Sequence, residues 1–241
     1  MQAKDIIFLV PTRGRPDKAR QLIEAWKETE TEARLSFWVD DDDPELDNYC
    51  KLWPQSDWPL PNLEIYYVWE RLRLAGTLND AVTRPVSTVP DMPSPCEYKA
   101  IGFMGDDHRP RTKGWDKRFA ECLSGGAGVV YGNDLLMGEK MPTAVCMTSD
   151  IPATLGYFCP PGFVHLCLDL VWKDWGEGMG RITYLDDVII EHMHPANGKS
   201  KMDDRYAEVN SQEMVSADTK AYLRYKEEFL HYDLAKLRQL P

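Results

Sequence analysis

No pair of cysteines in this chain forms a C-x-x-C motif; the six stand apart, at positions 50, 96, 122, 146, 159 and 167. That scatter argues against a dithiol or cysteine-zinc site and suits reduced, buried thiols of a cytosolic protein. No stretch reaches the roughly 18 consecutive apolar residues of a membrane span. The N-terminus opens directly into a strand, so no signal peptide is expected. Basic residues are also scarce: 28 Lys and Arg against 39 Asp and Glu leave a formal net charge of −11. Wholesale coating of nucleic acid needs a basic face and is excluded, leaving only a local groove formed by Arg109, Arg111 and Lys113. Internal repeats and low-complexity tracts are absent too. What is present is 241 residues, 43% hydrophobic and 11% aromatic, enough for one large α/β domain with a sizeable core.

The first half alternates strand and helix signals at the pace of a doubly wound sheet. Residues 5–10 are a short apolar run suited to a central parallel strand, broken by Pro11-Thr-Arg-Gly-Arg-Pro16. Asp17 is the expected N-cap of a helix to about Glu30, with Ala19, Leu22, Ile23 and Trp26 on one face. Strands follow at 35–39 and 63–69, separated by a proline- and tryptophan-containing surface excursion over 48–61. A helix over 72–82 and a proline-rich loop over 84–97 lead to a strand at 98–104. Beyond it, a helix at 115–123, strands at 127–131 and 143–148, an apolar helix from about 163 to 172, and strands at 181–185 and 188–193 are expected. The last 40 residues read as polar and mainly helical.

Four features carry chemistry. The strand at 98–104 runs into Gly105-Asp106-Asp107-His108, and acids delivered at the C-terminal end of a buried strand face the crevice where open α/β sheets bind ligands. Hard oxygen ligands suit Mg²⁺ or Mn²⁺, and Gly105 permits close approach of the backbone. One of the two aspartates can bind metal while the other faces the ribose. Glu191-His-Met-His-Pro195 places His192 and His194 two apart, on one side of a strand, so either can complete a metal shell with Asp107. The run Asp40–Asp43 begins where a strand ends, a position from which at least one of the four can accept from a base or ribose. Asp169 lies inside the apolar run 164–172, where a lone carboxylate is costly and a raised pKa would suit a general base.

In order and spacing these pieces resemble the GT-A glycosyltransferases, especially family 2-like enzymes. Val10-Pro11-Thr12-Arg13 looks like the opening donor-binding loop, and Val39-Asp40-Asp41 is similar to the strand-end aspartates that hold the nucleobase. Arg73-Leu-Ala-Gly-Thr-Leu-Asn79 looks like the helix that offers an arginine to the donor and packs an asparagine behind it. Phe103-Met-Gly-Asp106-Asp107 stands where the family has its D-x-D motif, and Asp169 where inverting members keep the base. The sequence departs from the family pattern in having Gly-Asp-Asp for D-x-D and Leu168-Asp169 for the usual Glu-Asp pair. With Gly-Asp-Asp-His and Glu-His-x-His-Pro together, the chain also looks like glycosyltransferases encoded by bacteriophages, some of which glycosylate hydroxymethylated bases in DNA.

The resemblance implies a single GT-A domain, Rossmann-like with a mostly parallel central sheet, over residues 1–200, and a helical C-terminal extension over 201–241 packed on it. Residues 1–108 would bind the nucleotide sugar and 109–200 the acceptor. It implies a metal-dependent inverting transferase using Mn²⁺ or Mg²⁺, held by Asp107 with His192 or His194. Pro11, Thr12, Arg13, Asp40, Asp41, Arg73, Asn79 and Asp106 would meet the nucleoside-diphosphate sugar, and Asp169 would be the base. The acceptor would be a glycan or a modified DNA base, the latter approached by Arg109, Arg111, Lys113 and an exposed Trp115. A monomer or weak homodimer in the cytoplasm, of the host if phage-encoded, is expected. A nucleotidyltransferase with Arg13-Gly14-Arg15 as a thin basic loop, and a non-catalytic binding or phage structural protein, are the rival readings.

Overall fold

The fold is described from a computed structural model, over residues 1–52, 61–84 and 95–241. Strand β1 (Ile6–Thr12) organises it. Ile6, Phe8 and Val10 join one apolar cluster while Ile7 and Leu9 join another on the opposite face, so both faces are covered, as a central parallel strand requires. Strands β2 (Arg34–Asp40), β3 (Leu63–Val68) and β4 (Ala100–Phe103) run parallel to it in the order β3-β2-β1-β4. Helix α1 (Pro16–Glu28) buries Ala19, Leu22, Ile23 and Trp26, the apolar stripe its sequence shows. Phe8, Trp26 and Trp115 pack edge to face with ring centroids 5.0, 5.2 and 5.7 Å apart, the favoured geometry for aromatic pairs.

Among the described residues the sheet has eight strands in the order β3-β2-β1-β4-β7-β6-β8-β5. Past β4 the direction changes: β7 (Val145–Thr148) is antiparallel to β4 and to β6 (Val129–Asn133), and β6 is parallel to β8 (Ile182–His192). The short β5 (His108–Pro110) closes the edge antiparallel to β8. Four of the seven pairings are therefore parallel, concentrated in the first half. The two strands expected over 181–193 are one strand with a bulge. Gly132 pairs with Leu185 but Asn133 with Ile189, and a Cβ on Gly132 would sit 2.5 Å from the Val188 carbonyl oxygen. The bulge redirects the end of β8 toward β5.

Several expectations are corrected. Arg15, not Asp17, stands at the N-cap of α1, because Pro16 supplies the fixed φ of a first helical residue. The start of the presumed surface excursion over 48–61 is helical instead, part of α2 (Leu46–Leu52), with Tyr49 buried; residues 53–60 and 85–94 lie outside the described residues. Helix α3 (Arg73–Thr83) and α4 (Trp115–Cys122) stand near their expected bounds, and α5 (Asp150–Leu155) was not foreseen. The apolar helix α6 (Leu168–Met179) starts later than its hydrophobicity suggests. The Asp218 carboxylate captures the N–H groups of Val164, His165 and Leu166 at 2.6–2.9 Å, holding them in a loop. Cys50 and Cys122 are exposed, not buried.

The C-terminal part is helical: α7 (Asp204–Val209), α8 (Gln212–Glu228) and α9 (Leu230–Leu237). Trp175 of α6 donates to Tyr225 of α8 at 2.7 Å, and Tyr225 donates to Asp233 of α9 at 2.7 Å, fixing these helices on the domain. Among the described residues no helix is long and apolar enough to cross a membrane.

Candidate active site

Strand order reverses between β1 and β4, the topological switch point at which such sheets open a crevice. Thr12, the last residue of β1, donates across it to Asp106 Oδ2 at 2.7 Å and exchanges a 2.8 Å bond with Tyr49 Oη. Arg15 Nη1 reaches Asp106 Oδ1 at 3.3 Å. Burial raises the Asp106 carboxyl above its ordinary value, against the pull of Arg15.

Asp107 divides its oxygens between two sides. Oδ1 lies 3.3 Å from His108 Nδ1 and 3.5 Å from His192 Nε2; Oδ2 accepts from Tyr206 Oη at 2.5 Å. Against the penalty of burial, the adjacent imidazoles of His108 and His192 hold this carboxyl well below the usual carboxylate range. The register of β5 on β8 pairs His108 with His192, stacking the imidazoles 4.1 Å apart. Asp134 stands behind them, with Oδ2 at 3.8 Å from His192 Nδ1 and accepting from Thr143, whose hydroxyl also meets His108 Nε2 at 3.3 Å. Asp134 Oδ1 accepts three backbone N–H groups, from Leu136, Met137 and Gly138, at 2.7–2.9 Å. Burial opposes the charge on His192, but Asp107 and Asp134 lift it to about 9, so in the metal-free protein it carries the proton.

One ligand atom each from Asp107, His108 and His192 lies within 4.8 Å of the others. The Nδ1 atoms of both histidines are buried without a hydrogen-bond partner among the described residues. A Cβ on Gly105 would stand 2.6 Å from Asp107 Oδ1 and 3.0 Å from His108 Nδ1, so this glycine leaves the space the donors need. One carboxylate oxygen and two imidazoles, backed by a second carboxylate, suit a divalent transition metal better than Mg²⁺, which takes oxygen ligands.

The remaining expected residues fall in three groups. Pro11, Thr12, Arg13, Asp40, Arg73, Asp106, Asp107, Asp169, His192 and His194 all line one cleft. Arg13 is held by Asp40 at 3.0 Å and Asp42 at 2.5 Å, and Asp43 accepts from Gly14 N at 2.9 Å. Asp169 sits in the first turn of α6 beside the cleft, where burial raises its carboxyl to about 6. His194 is at the cleft but not in the metal cluster, since β8 ends at His192 and strand periodicity no longer applies. Its Nδ1 instead accepts from Ala196 N at 3.1 Å.

Asp41 and Asn79 do not line the cleft. Asp41 is exposed, its strand-end position pointing it to solvent. Asn79 bonds the backbone of Phe158 and Cys159 at 2.8–2.9 Å, fixing the segment that precedes α6. The anticipated basic groove is not formed either. Arg109 is buried, donating to the Asp106 and His108 carbonyls, while Arg111 pairs with Glu191 and Lys113 with Glu30. Trp115 is wholly buried in the aromatic core rather than exposed.

Sequence reading missed Arg15, His108 as a donor, Asp134, His165, Arg205 and Tyr206. Tyr206 reaches the site from α7, with Lys18 and Arg15 each 4.2 Å from its ring centre. Of these, His108, beside Asp107, and Arg15, in Arg13-Gly14-Arg15, carried a sequence signal.

The sequence matches no protein-family model and no curated protein. Its structure is similar to that of the mannosyltransferase PcManGT from Pyrobaculum calidifontis in complex with GDP-Man and Mn²⁺, with 11% identity and a TM-score of 0.61 over 98% of this chain and 73% of that one. It is similar to TarS 1-349 of S. aureus, with 12% identity and a TM-score of 0.56 over 95% and 75%. A 4-diphosphocytidyl-2C-methyl-D-erythritol synthase from Anaerococcus prevotii matches at 11% identity and a TM-score of 0.50, over 92% of this chain and all of that one. The chain therefore has the GT-A fold.

Proposed function

We propose that this protein is a metal-dependent, inverting glycosyltransferase that moves a sugar from a nucleoside-diphosphate sugar to an acceptor hydroxyl. One observation carries the reading: the Asp107–His108–His192 donor group and Asp169, with its raised pKa, face the same cleft at the sheet's switch point. The similar mannosyltransferase holding GDP-Man and Mn²⁺ on this fold supports it.

Thr12, Arg13 and Asp40 frame the nucleoside, and Arg73 meets the diphosphate. Asp107, His108 and His192 would hold the cation, which as a Lewis acid offsets charge developing on the diphosphate. Asp169 takes the proton of the acceptor hydroxyl as its oxygen bonds to the anomeric carbon. The bond from that carbon to the diphosphate oxygen breaks on the opposite face, and the nucleoside diphosphate leaves with the electron pair. Holding the two substrates in line is the other main source of rate. The acceptor is left as a hydroxyl-bearing molecule; with Arg111 and Lys113 paired and Trp115 buried, the features offered for a DNA acceptor no longer support one.

The similarity to the diphosphocytidyl-methylerythritol synthase keeps a nucleotidyltransferase as a second reading. Thermal shift with common nucleoside diphosphates, with and without Mn²⁺, tests the first. A specific nucleoside diphosphate that stabilises wild type only with metal, and not Asp107→Ala, is expected. Stabilisation by nucleoside triphosphates alone, with release of pyrophosphate, would favour the second.

A further inference from the structure

Three guanidinium groups converge at the wall of the cleft. Glu208 of α7 accepts from Arg71 Nη2 on both oxygens, at 2.8 and 2.9 Å, from Arg205 Nη1 at 2.8 Å, and from Arg73. Arg71, Arg73 and Arg205 line the cleft, whereas Glu208 does not. One carboxylate thus gathers three cations and leaves two positive charges uncompensated within the cluster, in a chain whose formal net charge is −11. Crowding is visible on Arg205, whose pKa burial lowers and Arg71 and Arg73 lower further, against Glu208.

Two further features point the same way. Arg73 adopts φ 63°, in the left-handed region that non-glycine residues seldom occupy; such strain persists where the surroundings impose it, commonly at ligand clamps. His165 lines the cleft beside the cluster, and its Nδ1 is buried without a partner among the described residues. Burial, then Arg205 and Arg15, hold its ring neutral, at about 3. A neutral imidazole can donate one N–H to an anion without adding charge.

We propose that Arg71, Arg73 and Arg205, gathered by Glu208 and joined by His165, form a phosphoryl-binding site to which the C-terminal helix α7 contributes an essential arm. Planar guanidinium forks match phosphate oxygens bidentately, and three of them suit a dianionic group better than a sugar hydroxyl. This rests on the glycosyltransferase reading only for the source of that group, which is either the donor's diphosphate or a phosphate carried by the acceptor.

The test is calorimetric titration of inorganic pyrophosphate and inorganic phosphate into the full chain without divalent metal. It needs no donor, acceptor or turnover, so it stands or falls separately from transfer activity. Wild type is expected to bind at least one probe saturably and more weakly as salt rises. Arg71→Ala and Arg205→Ala should each weaken binding by about tenfold or more, the loss of one charge-assisted contact, while Arg118→Ala, a surface control, leaves it unchanged. Arg71→Ala guards against a folding defect in Arg205→Ala, and thermal melts without anion report on both. No saturable binding of either probe, or wild-type affinity in both arginine variants, would overturn the proposal. Where turnover is measurable, a rise in the donor KM alone assigns the group to the donor, and a rise in the acceptor KM alone to the acceptor.

Discussion

Tyr206 Oη donates to Asp107 Oδ2 at 2.5 Å, from a helix 99 residues further along the chain, and leaves Asp107 Oδ1 to the imidazoles of His108 and His192. The bond fixes the carboxylate's rotation without using the oxygen that faces the histidines. Outer groups of this kind orient metal ligands, and their loss commonly costs about 10–100-fold in metal affinity. Tyr206→Phe should therefore weaken Mn²⁺ binding by about tenfold while preserving the melting temperature of the metal-free protein to within a few degrees. Unchanged Mn²⁺ affinity by calorimetry would assign Tyr206 to packing alone.

Asp134 supports the site from the other side, taking three backbone N–H groups on one oxygen and Thr143 on the other, next to His192. Asp134→Ala should both lower stability, by about 2–3 kcal/mol for a charged acceptor lost from several donors, and weaken Mn²⁺ binding. Chemical denaturation and metal titration measure the two effects independently. A loss of stability with normal metal affinity would remove Asp134 from the site.

These relationships explain how far the sequence could be read. Strands β1 to β4 and helices α1, α3 and α4 were legible because each buries a periodic apolar set on a sheet covered on both faces. Gly105-Asp106-Asp107 was legible for the same reason, as acids that end a buried strand. Of the alternatives His192 and His194, only His192 joins the Asp107–His108 group among the described residues, because period two holds only while the strand lasts and β8 stops at His192. The late start of α6 was hidden because its cause, Asp218, lies 52–54 residues away. Tyr206, Arg205 and Glu208 left no local trace, being polar residues of a short helix whose partners are set by tertiary packing.

Asp218 gives that last point a measurable form. It is fully buried on α8 and holds the loop that leads into Asp169. Asp218→Asn keeps the shape but replaces one accepting oxygen with a donor facing N–H groups. The expected cost is about 1–3 kcal/mol, together with faster amide exchange at residues 164–166. Protection unchanged at those three amides would contradict the assignment.

Asp169 predicts the pH dependence. Its folded pKa is about 6, raised by burial from 3.8. A base must be deprotonated, so transfer should be full above about pH 7 and fall tenfold per unit well below 6. The stability sign is opposite: a carboxyl whose folded pKa is raised favours the folded state at low pH, and that contribution is lost as pH rises from about 4 through 6. Asp169→Asn should lower kcat by about 10²–10⁴-fold, the usual share of general-base catalysis, with donor affinity retained. Full activity in this variant would remove the proposed base.

The most direct measurement is release of nucleoside diphosphate from a panel of nucleotide sugars by the wild-type chain, with Mn²⁺ and after chelation. The account predicts consumption of a particular donor that requires the metal and is lost in Asp107→Ala, while that variant keeps its fold. Folded wild-type protein that neither binds nor consumes any nucleotide sugar, with or without Mn²⁺, would contradict it.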